Sequence, residues 1–226
     1  MVDIMNKYII GLVLVLFMFS IGSVCAGDME STYELADGGS NSPATFTDLK
    51  NNITASENEF SMSSDYKFNK EADSDFLNPK NKNNITIDQK NFVINGNNHT
   101  IDADSTEGLS LFNLKGSNIT INDLTIKNVL NMSINSKSNL TLNNVKFINS
   151  GTINDPVIYS ASNLTLNECI MENISGYGIR IQSAKSLTVK DSVFSNSKTK
   201  MGFINARTET VRLDNCVFEN IESEYG

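Results

Sequence analysis

Tryptophan is absent from these 226 residues, histidine occurs once, cysteine and proline three times each, and charged side chains make up only 19% of the chain. One His leaves no histidine-rich metal cage, and three Cys without a CxxC pair leave no zinc knuckle or thioredoxin-type redox site. The formal charge is −8, with no cluster of Lys or Arg in the sequence. Binding to nucleic acid requires a basic stripe that neutralises phosphates, so composition excludes it as a main role. What the chain has in excess is asparagine, 32 residues of it.

The first 26 residues read as an address. Lys7 precedes the apolar run Tyr8 to Phe19, and Gly22-Ser-Val-Cys-Ala26 puts Val24 and Ala26 at the −3 and −1 positions of a signal-peptidase cut before Gly27. The competing reading is an uncleaved anchor, because Tyr8 to Ala26 is 19 residues of mostly apolar sequence. Lipid attachment at Cys25 is disfavoured by the bulk of Val24. Residues 27–44 are acidic and Gly/Ser-rich, the composition of a flexible linker. Residues 45–83 form an N-terminal cap and first strand. Thr47 is placed to cap a short helix with Asp48 in its first turn and an apolar face of Phe46, Leu49 and Ile53. Phe60 to Phe68 alternates as a strand, and Asn69 to Asn83 is a polar loop.

From Asn84 to Gly226 the chain repeats. Units of eleven residues begin at Asn118, Asn139, Asn163, Ser186 and Thr210, spaced 21, 24, 23 and 24 residues apart. Position two is Ile119, Leu140, Leu164, Leu187, Val211; position four is Ile121, Leu142, Leu166, Val189, Leu213; position nine is Ile126, Phe147, Met171, Phe194, Phe218. Apolar residues alternate at period two, so each unit is built of strands, and a chain winding once per unit stacks like on like at about 4.8 Å. The fold predicted is all-β, a parallel β-helix of about five to six coils. Position eleven is Asn in every unit: Asn128, Asn149, Asn173, Asn196 and Asn220. Asn tolerates the left-handed backbone and its amide bonds the Asn of the next coil, so these five are expected to form a structural ladder at a repeated turn.

The segments Phe92-Val-Ile-Asn-Gly-Asn-Asn-His-Thr-Ile-Asp-Ala103 and Phe112 to Asn128 resemble the opening coils of right-handed parallel β-helix, pectin-lyase-like proteins. With the leader, the Phe-Thr-Asp-Leu segment and the Asn-rich repeats, residues 45 to 226 are similar to adhesin-like surface proteins of methanogenic archaea. The resemblance implies the right hand, secretion to the cell surface, and a longer protein with more coils and an anchoring region beyond Gly226.

Enzymes of the pectin-lyase-like group carry acidic clusters, some holding calcium, beside a cation. The residues here that match are Asp123, Glu168, Asp191 and Asn215 at position six, with Arg180, Arg207 and Arg212 as cations. Position six adjoins a bend, where Asp and Asn are favoured for turn chemistry alone. His99 sits at a bend of the first coils and is not expected to be catalytic. Cys169 and Cys216 share position seven two coils apart, roughly 9 to 10 Å, too far for a disulfide, so both are predicted as buried free thiols. Asn118-Thr120-Asn122 and its counterparts Asn139-Thr141-Asn143 and Asn163-Thr165-Asn167 face outward as a polar array, with Tyr159 and Tyr177 as exposed aromatics. Asn-x-Ser/Thr sequons fall at Asn52, Asn84, Asn98, Asn118, Asn131, Asn139, Asn163 and Asn173.

Two functions are compatible with this sequence. The first is an exported, non-catalytic surface protein that meets glycans or other surface proteins through its polar face, with no catalytic residue, cofactor or metal, and touching a membrane only through an uncleaved leader. The alternative is a polysaccharide lyase or hydrolase on the same scaffold, the only case in which calcium is expected. A convergent cluster of acids and Arg/Lys would distinguish the second from the first.

Overall fold

The computed structural model describes residues 43–77, 84–152, 154–200 and 202–225, with residues 183–185 described by backbone alone. The leader at 1–26, the linker through 42 and the loop residues 78–83 lie outside the described residues. Within them no helix is long and apolar enough to cross a membrane.

The chain enters through helix α1 (Phe46–Ala55), whose Phe46, Leu49 and Ile53 are fully buried against the first coil. The cap is Thr45, not the expected Thr47. Thr45 Oγ1 accepts from the Asp48 backbone N–H (3.1 Å), and Asp48 Oδ2 accepts in return from the Thr45 N–H (3.0 Å), a reciprocal capping box. The Thr45 N–H and the Thr45 hydroxyl (2.7 Å), both donating to Oδ2, hold the Asp48 carboxyl below its usual range. Thr47 sits one turn position inside, where Asp73 meets it. The fully buried Asp73 carboxylate accepts from the backbone N–H groups of Phe46 (3.1 Å), Thr47 (2.7 Å) and Asn69 (2.8 Å) and from Thr47 Oγ1 (2.8 Å). An anion at a helix N-terminus satisfies donors that the helix itself leaves open. The polar loop after Asn69 is therefore a clasp, with Phe76 packed edge-on against Phe46.

Each following turn of chain is a coil of three short strands. The first comprises β1 (Glu59–Ser61), β2 (Tyr66–Lys67) and β3 (Ile85–Ile87), the second β4 (Val93–Asn95), β5 (Thr100–Asp102) and β6 (Phe112–Leu114). Later coils fuse strands across their bends: β7 (Ile119–Lys127) with β8 (Ile134–Ser136), then β9 (Leu140–Ile148) with β10 (Pro156–Ser160). Above them lie β11 (Leu164–Asn167), β12 (Ile170–Glu172), β13 (Ser175–Lys190), β14 (Val193–Thr199), β15 (Ile204–Asp214) and β16 (Val217–Ser223). The single alternating strand expected over 60–68 is two strands broken at Met62–Asp65, yet Phe60, Met62, Tyr66 and Phe68 are all still buried. Ala44, assigned to the linker, is pinned to the sheet through its N–H to Asp65 O (3.0 Å) and its carbonyl to Lys67 N (2.8 Å).

The result is an all-β parallel solenoid of about six turns. Three walls run along its axis. Wall A stacks β1, β4, the first halves of β7 and β9, β11, and the last parts of β13 and β15; wall B stacks β2, β5, the second halves of β7 and β9, β12, β14 and β16; wall C stacks β3, β6, β8, β10 and the first parts of β13 and β15. Pairing is parallel and in register, so Ile121, Leu142, Leu166, Val189 and Leu213 form one column and Ile126, Phe147, Met171, Phe194 and Phe218 another. Each buried Leu, Ile or Phe in these columns contributes about 1.5–3 kcal/mol of transfer free energy. In the last described coil the same columns are half exposed, Leu213 at 45% and Phe218 at 43%.

Candidate functional site

A coil of 21–24 residues must turn sharply between walls, and an L-residue turns most sharply in the left-handed region. Every full repeat does so twice. At position six the φ values are +50° (Asp123), +51° (Asn144), +55° (Glu168), +49° (Asp191) and +49° (Asn215); at position eleven they are +59° (Asn128), +52° (Asn149), +53° (Asn173), +50° (Asn196) and +50° (Asn220). The five ladder asparagines thus occupy the predicted turn, between walls B and C. Asn149 donates to Asn128 (3.4 Å), Asn173 to Asn149 (2.7 Å) and Asn220 to Asn196 (3.0 Å), and Asn128 extends the row to Asp102 (2.8 Å). The row breaks once, where Asn196 donates to Glu172 (3.4 Å) rather than to Asn173. Asn128 is half-buried and the other four are exposed, so this is an outer seam of the solenoid. At its foot burial alone would raise the Asp102 carboxyl, but the Asn128 amide, the Asp104 backbone N–H and Lys127 (3.2 Å) outweigh burial and hold it below the usual value.

Two more amide rows, on the positions read from the sequence as an outward polar array, cover the outer face of wall A. At position five Asn167 donates to Asn143 (2.8 Å), Asn143 to Asn122 (2.8 Å), Asn122 to Asn95 (2.9 Å) and Asn95 to Glu59 (2.6 Å). At position one Asn139 donates to Asn118 (3.1 Å) and Asn118 to Asn91 (3.0 Å), and Ser162 Oγ, one residue before position one of the next unit, donates to Asn139 (2.7 Å). Between the rows runs a column of hydroxyls, Thr120, Thr141, Thr165 and Thr188, in direct register. Inside a row each amide commits one donor and one acceptor lone pair to its neighbours. An amide has two of each, so one donor and one lone pair per Asn remain for a ligand.

The position-six acids take part in the same stacking. Asp123 accepts from Asn144 (2.8 Å) and Asp191 from Asn215 (2.7 Å), which makes them turn residues with bonded carboxylates. The cations do not gather around them. Arg212 pairs with Asp214 on its own strand (2.6 Å), while Arg180 and Arg207 stand on wall C. His99 lies at a bend, its Nδ1 3.1 Å from Asp65 Oδ1, which also accepts from the Thr100 N–H (2.9 Å). Among the described residues no three His, Cys, Asp or Glu side chains gather to hold a metal ion.

Both described cysteines are free, but only Cys169 is buried; Cys216 is half-buried because it lies in the last described coil. Burial pushes the Cys169 thiol up to about 11. Its place in the column is explained by Ser192. Cys169 Sγ reaches the carbonyl of Asn167 (3.4 Å), Ser192 Oγ donates to that of Lys190 (2.7 Å) and Cys216 Sγ reaches that of Asp214 (3.3 Å), each closing the bend two residues back. Of the sequon asparagines, Asn52 is bonded to Tyr66 and Asn118, Asn139 and Asn173 belong to the rows, whereas Asn98 is exposed at a left-handed turn with φ +63°.

Compared with known proteins, the chain matches no family model, no curated protein and no solved structure. The solenoid and its amide rows rest on the chain's own geometry.

Proposed function

We propose that this is an exported, adhesin-like surface protein of the pectin-lyase-like β-helix kind, which holds glycans or other surface proteins on a polar face without turning them over. The single observation that carries the reading is the outer face of wall A, where two amide rows flank a hydroxyl column at constant pitch. Regularly spaced donors and acceptors, half of them uncommitted, match a ligand rich in hydroxyl groups. The bonding of Asp123 and Asp191 within the turn stack favours holding over catalysis, because a general acid or base needs its carboxyl available to substrate. Export is supported by the Lys7 to Ala26 leader pattern.

Retention of the purified chain on immobilised neutral glycans tests this reading. Thr141→Trp with Thr165→Trp fills the hydroxyl column without touching the core and is expected to abolish retention while leaving the melting temperature unchanged. Retention unaffected by both bulky substitutions would remove wall A as the contact surface.

A further inference from the structure

The outer face of wall C differs from the rest of this acidic chain. Its strands carry two outward columns. In one, Asn113, Asn135, Tyr159, Arg180 and Asn205 stand in register. In the other, Lys115, Lys137, Ala161, Gln182 and Arg207 follow, as the Lys115 N–H to Ile87, Lys137 N–H to Leu114 and Ala161 N–H to Ser136 bonds and the Gln182–Arg207 pairing require. The four cations are exposed, and none forms an ion pair among the described residues; Asp88 at the foot of the strip and Glu209 at its head leave them unpaired. Lys115 and Lys137 are direct rung neighbours, and Arg180 and Arg207 are diagonal ones, about 7–8 Å apart. Like charges so placed repel, and among the described residues no carboxylate forms an ion pair with any of the four. The basic residues are scattered in sequence, and only the winding of the chain collects them.

The head of the strip is shaped as well as charged. Tyr177, Arg180, Gln182, Asn205 and Arg207 line a hollow of about 120 Å³. Arg180 lies over the Tyr177 ring at 5.9 Å, and Tyr159 donates its hydroxyl to Gln182 (2.9 Å), so two aromatic faces and the guanidinium are held in place.

We propose that this strip binds an anionic polysaccharide lying along the solenoid axis, its acid groups on Arg180, Arg207, Lys137 and Lys115 and its sugar faces on Tyr159 and Tyr177. From Lys115 to Arg207 the strip covers five rungs and so four inter-strand spacings, about 19 Å. Four cations over that length are sparse against a nucleic-acid backbone, and the net charge of −8 repels a polyphosphate. Along wall C, β6, β8, β10 and the first part of β13 are bonded on both sides, and only the end strands β3 and β15 have an open edge, so an acidic peptide has no edge to pair with along the strip. Carboxylates and sulfates share the chemistry of an oxyanion on a guanidinium fork. The inference rests on the glycan-holding function proposed above and assigns it a second surface and a charge class.

The test uses one sugar backbone in three forms, namely carboxymethyl-dextran, dextran sulfate and neutral dextran, with single-stranded DNA as the rival polyanion and affinity read by biolayer interferometry. The expected result is binding to carboxymethyl-dextran or dextran sulfate that weakens with salt and falls at least tenfold in Arg180→Gln with Arg207→Gln. The charge-matched pair Lys146→Gln with Lys198→Gln, on wall B, is expected to change it less than twofold. All these side chains reach the surface, so unchanged melts check the fold. Equal losses in the two double variants, or tighter binding of DNA than of either charged dextran, would overturn the strip. Retention of neutral dextran alone, blocked by Thr141→Trp, would overturn the strip and leave wall A standing. Retention of no glycan in any form would overturn the underlying function as well.

Discussion

Asn173 and Asn143 both donate to an asparagine one coil earlier, at 2.7 and 2.8 Å, yet they should respond oppositely to the same two substitutions. Asn173 sits at φ +53°, whereas Asn143 lies within β9. At Asn173, alanine forfeits a solvent-exposed hydrogen bond worth up to about 1 kcal/mol and adds about 1 kcal/mol of left-handed strain. Glycine forfeits the same bond and carries no Cβ strain, but adds about 0.5–1 kcal/mol for the unfolded chain's extra freedom. Asn173→Gly should therefore be at least as stable as Asn173→Ala, by up to about 0.5 kcal/mol. In the strand the order inverts: Asn143→Ala loses its amide bonds, and Asn143→Gly loses the same bonds plus about 0.5–1 kcal/mol of backbone entropy. Urea unfolding followed by far-ultraviolet circular dichroism measures all four variants. The same order at both positions, or no cost at either, would refute the assignment of position eleven to a left-handed amide turn.

Other consequences follow from the same geometry. Leu166 is fully buried in the position-four column, and Leu166→Asp places an unpaired charge there, so the variant should lose its cooperative melt; a soluble protein melting like the parent would refute the column. The Cys169 thiol, pushed up to about 11 and buried, should react with a disulfide reagent at pH 8 far more slowly than half-buried Cys216, and peptide mapping after labelling distinguishes the two. The Asp102 carboxyl is held below its unfolded value of about 3.9, so it stabilises the fold above that pH and the gain is lost as pH falls through the lower folded value. Asp102→Asn should consequently flatten the fall of the urea midpoint between pH 5 and 2.5, and parallel curves for the two proteins would contradict this.

The fold was legible because a solenoid repeats its physics. Columns such as Leu140, Leu164 and Leu187 must match in size at each rung, so stacking writes itself into the sequence at a near-constant interval. The left-handed Asn at position eleven was legible for the same reason, since few residues tolerate that backbone. What does not repeat was hidden. Asp73 clasps a helix 27 residues away, and no local pattern marks which of two threonines becomes the cap once that carboxylate claims Thr47. The break at Asn196 depends on Glu172 reaching the amide before Asn173 does. Wall C was the least legible, because the segments between its strands vary in length. Lys115, Lys137 and Arg207 share a column only after the chain is wound.

The central claim, a surface that holds saccharides and leaves them whole, is tested most directly by incubating the purified chain with polyuronates and neutral glycans, with and without calcium, and sizing the glycans by chromatography. The account predicts bound glycans of unchanged length under both conditions. Shortened products in either would contradict it and return the bonded acids of position six to the role of catalysts.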